Sequence, residues 1–240
     1  MKKSKLLITL GAILVLILGI ILFISLKNED NKEPKEKTDA LKFKETYEKL
    51  NDEYAYGSIK YSSLDISENN SFVYASEEEV VDFLKNGTGI IYFGYPKCPW
   101  CRNAVNVLQH LSVDKILYLD MQDKRDAYEV VNGELKKTKD ASDEYYEIME
   151  LLKEVLLDYE IEKDGVKYNV NEKRIYVPLV VGVLNGKVVG SHTDIVDLEE
   201  GQTPFDLLNK SQQEKLMEIY DGIKAKVYGD TCSFESEHGC

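Results

Sequence analysis

The sequence predicts a mixed α/β domain built on a central sheet. Short apolar runs of strand length alternate with amphipathic stretches from Phe72 to Val227. Helix-capping patterns stand between those runs. A third observation is an apolar run after Pro178 that ends in Asn185-Gly186, a hairpin signature. The net charge of −13, with only three histidines, disfavours attraction to nucleic acid phosphates.

The elements follow in order. Phe43, Tyr47 and Leu50 stand at helical spacing and predict a helix over Phe43 to Tyr54, and Phe72-Val73-Tyr74 predicts a short strand. Ser76 with Glu79 forms a capping box that opens a helix through about Lys85, closed by Asn86-Gly87. Gly89 to Phe93 is a strand of the buried type, Pro99 to Leu111 a helix, and Lys115 to Asp120 a strand. Tyr145, Ile148, Met149, Leu152, Val155, Leu156 and Tyr159 share one face of a helix predicted over Ala141 to Tyr159. Ile175 to Leu184 and Lys187 to Gly190 are the arms of the Asn185-Gly186 hairpin, and Ser211 with Glu214 caps a last helix to about Val227.

Ahead of this domain, residues 6–26 are apolar except for Thr9, Gly11, Gly19 and Ser25. As a helix rising about 1.5 Å per residue they reach about 31 Å, the thickness of a bilayer core. No small-x-small cleavage site closes the run, so a retained anchor is expected rather than a cleaved signal peptide. Lys2, Lys3 and Lys5 precede it, which sets the N-terminus in the cytoplasm and the acidic bulk outside. The expected organisation is a transmembrane anchor (residues 1–26), a charged flexible linker (27–39) and one extracytoplasmic domain (40–240).

The chemistry concentrates in Tyr95-Pro96-Lys97-Cys98-Pro99-Trp100-Cys101, a Cys-x-x-Cys placed where a strand ends and a helix begins. The orphan N–H groups of a helix N-terminus and the positive end of its dipole stabilise a thiolate there. Pro99 suits the first helical turn because its missing N–H has no intrahelical partner to lose, and Lys97 adds a nearby positive charge. Cys98 is therefore the expected nucleophile, facing solvent, and Cys101, one turn further in, the resolving thiol. Two other readings stand beside exchange chemistry. A zinc half-site would need further ligands, for which the terminus offers only Cys232, His238 and Cys240. A purely structural disulfide across Cys98 and Cys101 would constrain the unfolded chain only weakly.

From Phe72 to Tyr228 the chain resembles the thioredoxin superfamily. The resemblance rests on the strand, the Cys98-Pro99-Trp100-Cys101 motif with its helix, and Val177-Pro178 ahead of an apolar strand ending in Asn185-Gly186-Lys187. It implies a three-layer thioredoxin-like fold with a central mixed sheet. It also implies a cis peptide at Pro178 and a Val177 backbone that pairs with an incoming peptide. Separately, the sixteen tyrosines are expected mostly to pack in the sheet and helices, the other reading being an aromatic peptide-binding surface near Tyr95 and Trp100. No metal or other cofactor is implied. Three departures are present: Tyr92 stands where thioredoxins carry a buried Asp, Pro99-Trp100 replaces Gly-Pro, and the segment between Asp120 and Pro178 is longer than the family norm. The extra length is expected to be a helical insertion over about residues 124–172. The anchored form with an extended N-terminal region is similar to the bacteriocin transport accessory group.

Outside the membrane, Cys232 and Cys240 are expected to pair as a structural disulfide, the other reading being a mobile dithiol relay that exchanges with Cys98. Together these readings predict a membrane-tethered thiol–disulfide oxidoreductase acting on protein thiols or disulfides, with an unspecified upstream redox partner. The competing class is a non-enzymatic accessory or binding module on the same scaffold with both cysteine pairs held as fixed disulfides.

Overall fold

The computed structural model describes residues 37–229. The predicted anchor and most of the linker fall outside that range, as do Cys232, His238 and Cys240. Among the described residues no helix is long and apolar enough to cross a membrane.

Thr38 and Asp39, assigned by sequence to the linker, begin the folded part. Thr38 caps helix α1 (Asp39–Glu48), its Oγ1 accepting from Leu41 N at 3.3 Å. The helix stops six residues short of the predicted Tyr54, because the chain turns at Lys49–Asp52 and then pairs β1 (Tyr54–Tyr56) with β2 (Ile59–Lys60). β3 (Phe72–Tyr74) leads into α2 (Glu77–Asn86), whose capping box of Ser76 and Glu79 is present in both directions. Next come β4 (Gly89–Gly94), α3 (Pro99–Leu108) and β5 (Ile116–Asp120).

The long segment that follows departs from the predicted helical insertion. It is a hairpin of β6 (Ala127–Val131) and β7 (Glu134–Lys139), a helix α4 (Asp143–Leu151), one 3-10 turn (Lys153–Val155), and a second hairpin of β8 (Leu157–Lys163) and β9 (Val166–Arg174). The predicted helix over Ala141 to Tyr159 is thus α-helical only to Leu151, and its end is a 3-10 turn followed by the start of a strand at Leu157. Tyr145, Ile148, Leu152 and Leu156 are all buried, so their spacing reads as one helical face although the last of them is extended. The hairpins turn at Asn132-Gly133 and Asp164-Gly165, all four residues at positive φ. β10 (Leu179–Leu184) and β11 (Lys187–Thr193) form the last hairpin. α5 (Lys210–Tyr228) closes the described chain, capped two residues earlier than expected by a box of Asn209 and Gln212 rather than Ser211 and Glu214.

Five strands form one mixed sheet in the order β11-β10-β4-β5-β3. β4, β5 and β3 run parallel, and β10 and β11 join antiparallel. All six residues of β4 are buried, and alternate ones face opposite ways. Ile90 and Tyr92 join a core with Phe43, Tyr47, Val105, Leu216 and Tyr220, which puts α1, α3 and α5 on that face. Ile91 and Phe93 join Val80, Leu84, Tyr145 and Ile148 on the other, under α2 and α4. Helices therefore cover both faces, which is why the central strands read as continuous apolar runs.

The inserted segment is fastened where it leaves and returns. Arg174 Nη1 pairs with Asp126 Oδ1 at 3.1 Å and its Nη2 donates to the Asp126 carbonyl at 3.3 Å. The guanidinium also lies 3.8 Å from the centre of the Tyr159 ring.

Gly186 holds the β10–β11 turn. Its φ is +71°, and a Cβ there would lie 1.9 Å from the Lys85 carbonyl oxygen, while its N–H donates to Gly87 O at 2.8 Å. Gly186→Ala is expected to destabilise the domain by about 2–3 kcal/mol, since a left-handed alanine and a backbone collision add. A urea titration showing an unchanged midpoint would contradict this account of the turn.

Candidate functional site

β4 delivers the chain to one end of the sheet, and the Tyr95–Lys97 loop turns it into α3. Cys98 is the N-cap of that helix, with β-region dihedrals and its N–H donating to Tyr95 O at 3.1 Å. Its Sγ takes the part usually played by a serine or aspartate oxygen, accepting from Cys101 N at 3.1 Å. Pro99 fills the first helical position. The thiol also donates to the Val177 carbonyl at 3.8 Å, and the Val177–Pro178 peptide is cis. Residues 79 positions apart thus meet at one sulfur.

Both cysteines are free thiols. Cys101 is 0% exposed, whereas Cys98, expected to face solvent, is only 3% exposed. That corrects the sequence reading. The capping geometry folds Sγ back over the mouth of the helix, and the Val177–Pro178 loop closes against it.

Burial raises the Cys101 thiol well above its ordinary value, with the hydrogen bond to Cys98 adding to the effect. The Tyr92 hydroxyl opposes both through a hydrogen bond that favours the thiolate. That hydroxyl lies 3.3 Å from Tyr47 Oη and donates to the Cys101 carbonyl at 3.4 Å. Both tyrosines are fully buried, and desolvation holds them neutral, well above the usual phenol range. Gly94 makes the arrangement possible, because a Cβ at that position would lie 2.2 Å from Tyr92 Oη. Tyr92 is therefore a packed, hydrogen-bonded hydroxyl beside Cys101.

The other predicted site residues divide into two groups. Trp100 is exposed and borders a groove of about 450 Å³ with Val177, Leu157, Asp158 and Asp194. Tyr95 is half-buried, with the Arg125 guanidinium 5.7 Å from its ring centre; burial raises its hydroxyl, Cys98 adds to the shift and Arg125 opposes it. Lys97 is also exposed, on a separate cavity of about 520 Å³ shared with Lys49, Asp120 and Lys124. Pro178 lies in the loop beside Cys98 and directly precedes β10, which begins at Leu179 rather than at the predicted Ile175.

Sequence reasoning missed Arg102. It is fully buried one residue after Cys101 and donates to three backbone and side-chain acceptors. Nη1 reaches Tyr47 O at 2.8 Å, Nη2 reaches Asn51 Oδ1 at 2.7 Å and Ser62 O at 2.6 Å, and Nε reaches Ser62 O at 3.1 Å. Asn51 in turn holds both backbone groups of Leu64, at 2.8 and 3.0 Å. Burial lowers the guanidinium from its ordinary value, yet arginine remains charged at any physiological pH. Helix α3 is thereby riveted to α1 and to the 62–66 segment. The only hint in the sequence was a cation in a helix otherwise rich in Ala104, Val105, Val107 and Leu108. Comparison with protein-family models, curated proteins and solved structures finds no match for this chain.

Proposed function

We propose that this chain is a thioredoxin-like thiol–disulfide oxidoreductase that exchanges disulfides with protein substrates. One observation carries the reading: a Cys98 thiol capping α3 touches the carbonyl of a cis-proline dipeptide, with a buried Cys101 one turn below. The five-stranded mixed sheet with helices on both faces supports the resemblance. In the reducing direction the Cys98 thiolate attacks one sulfur of a substrate disulfide. The substrate S–S bond breaks, and its other sulfur departs as a thiolate that takes up a proton. Cys101 then loses its proton, attacks Cys98 Sγ and releases the second substrate thiol. The substrate gains two electrons, and the Cys98–Cys101 pair is left oxidised. The opposite direction uses the same steps in reverse.

The tether at residues 6–26, the extracytoplasmic location and the Cys232–Cys240 disulfide rest on the sequence alone. They belong to the same proposal, as does the likeness to bacteriocin transport accessory proteins. A second reading is favoured by the burial of Cys98: a binding module on this scaffold in which the cysteines do no exchange.

Iodoacetamide separates the two. After mild reduction, the oxidoreductase reading expects Cys98 to be the site of alkylation and Cys101 to stay unmodified between about pH 6 and pH 9, because burial keeps the deeper thiol protonated across that range. Peptide mapping that finds Cys98 inert throughout would leave the binding module standing.

A further inference from the structure

The groove beside Cys98 is not made by the central sheet alone. One wall is Trp100 and Val177, the pair that flanks the first sulfur, and another is β8 from the inserted segment, which contributes Leu157, Asp158 and Glu160. Asp194 lies at the end of β11. The groove holds about 450 Å³, and among the described residues it is lined by three carboxylates and no cationic side chain. Its apolar part is unusually open, with Trp100 41% and Leu157 54% exposed.

Two of the acids already hold lysines from β9. Asp158 pairs with Lys173 at 2.8 Å and Glu160 with Lys167 at 3.4 Å. All four side chains are at least 46% exposed. Exposed pairs of this kind contribute little, so an incoming cation can replace either lysine at small cost. Asp194 Oδ1 accepts from Ile195 N at 2.8 Å, which keeps its carboxylate oriented.

We infer that the β8–β9 hairpin selects substrate for the redox pair. The groove receives an extended segment of a second polypeptide in which the disulfide cysteine is flanked by an apolar residue and by lysine or arginine. The apolar neighbour covers Trp100 and Leu157, and the basic side chain meets Asp158, Glu160 and Asp194. This inference rests on the oxidoreductase reading above and adds the substrate class to it. Charge of this kind acts through encounter and register more than through raw affinity, so the preference is expected in the rate of exchange and fades with salt.

Two synthetic disulfide peptides, identical except for Lys or Glu beside the cysteine, provide the test, with bis(2-hydroxyethyl) disulfide as a neutral reference for each protein. The full-length chain is expected to exchange the Lys peptide about tenfold faster than the Glu peptide at low ionic strength. In an Asp158→Asn, Glu160→Gln double variant the ratio is expected to fall to about twofold, and a Leu157→Ala variant to slow both peptides equally. Equal rates for the two peptides, or a ratio that survives the double substitution, overturns the selector. Absence of exchange with the neutral disulfide and both peptides overturns the redox reading itself, a result readily told from loss of charge preference.

Discussion

Arg102→Ala is expected to lower the unfolding free energy by about 3–5 kcal/mol, because it takes both donors from the Ser62 carbonyl and one each from the Tyr47 carbonyl and the Asn51 amide oxygen, which keep only the N–H groups of Leu50 and Leu64, and it empties the space the side chain fills. Each buried acceptor without a donor costs about 1–3 kcal/mol, and the vacated volume adds a cavity penalty. Arg102→Met discriminates between the two contributions, since it restores most of the volume and none of the donors. Arg102→Lys is expected to recover little, because a point ammonium does not reproduce the planar fork that serves three acceptors at once. Urea or thermal unfolding measures all three variants. A Met variant as stable as the parent would mean that the hydrogen bonds contribute nothing beyond filling space.

Cys101→Ser is the second large effect, and it falls on chemistry rather than on folding. Serine fits the volume of the buried thiol and keeps an O–H beside the Tyr92 hydroxyl, so the domain is expected to remain folded. Turnover of a protein disulfide is expected to fall below detection, while an adduct between Cys98 and one substrate sulfur accumulates. Non-reducing electrophoresis with mass mapping of the linked peptides reads the result. Undiminished turnover would remove Cys101 from the resolving role. An adduct joining Cys98 to Cys232 or Cys240 would identify the terminal pair as a relay instead.

Much of the central sheet was legible in the chain. Gly89 to Phe93 is apolar at every interior position, Ser76 and Glu79 stand at capping-box spacing, and Asn185-Gly186 is a turn that only a few residue pairs can make. All three are local signals, decided within a few residues. The insertion was read as helical although Asn132-Gly133 and Asp164-Gly165 carry the same turn chemistry as Asn185-Gly186, and those dipeptides were the available clue. Apolar residues at helical spacing continued past Leu151 into what is extended chain, so one period masked the change of structure.

The site divides along the same line. Cys98 at the start of a helix follows from a short motif, and the cis bond at Pro178 was an implication of the thioredoxin resemblance. The cover over Cys98 and the burial of Arg102 come from Val177, Ser62 and Tyr47, segments distant in sequence, and no window of the chain encodes those meetings.

The clasp of Asp126 and Arg174 has a consequence for how the domain tolerates change. Closing a loop costs entropy that grows only slowly with its length, and here the ends of the excursion are already bound to each other. The sheet therefore experiences a short bridge between β5 and β10 whatever lies beyond the clasp. The tips of the two hairpins can be lengthened or trimmed without altering the register of β4 against β10, whereas α4 has to keep Tyr145 and Ile148 over Ile91 and Phe93.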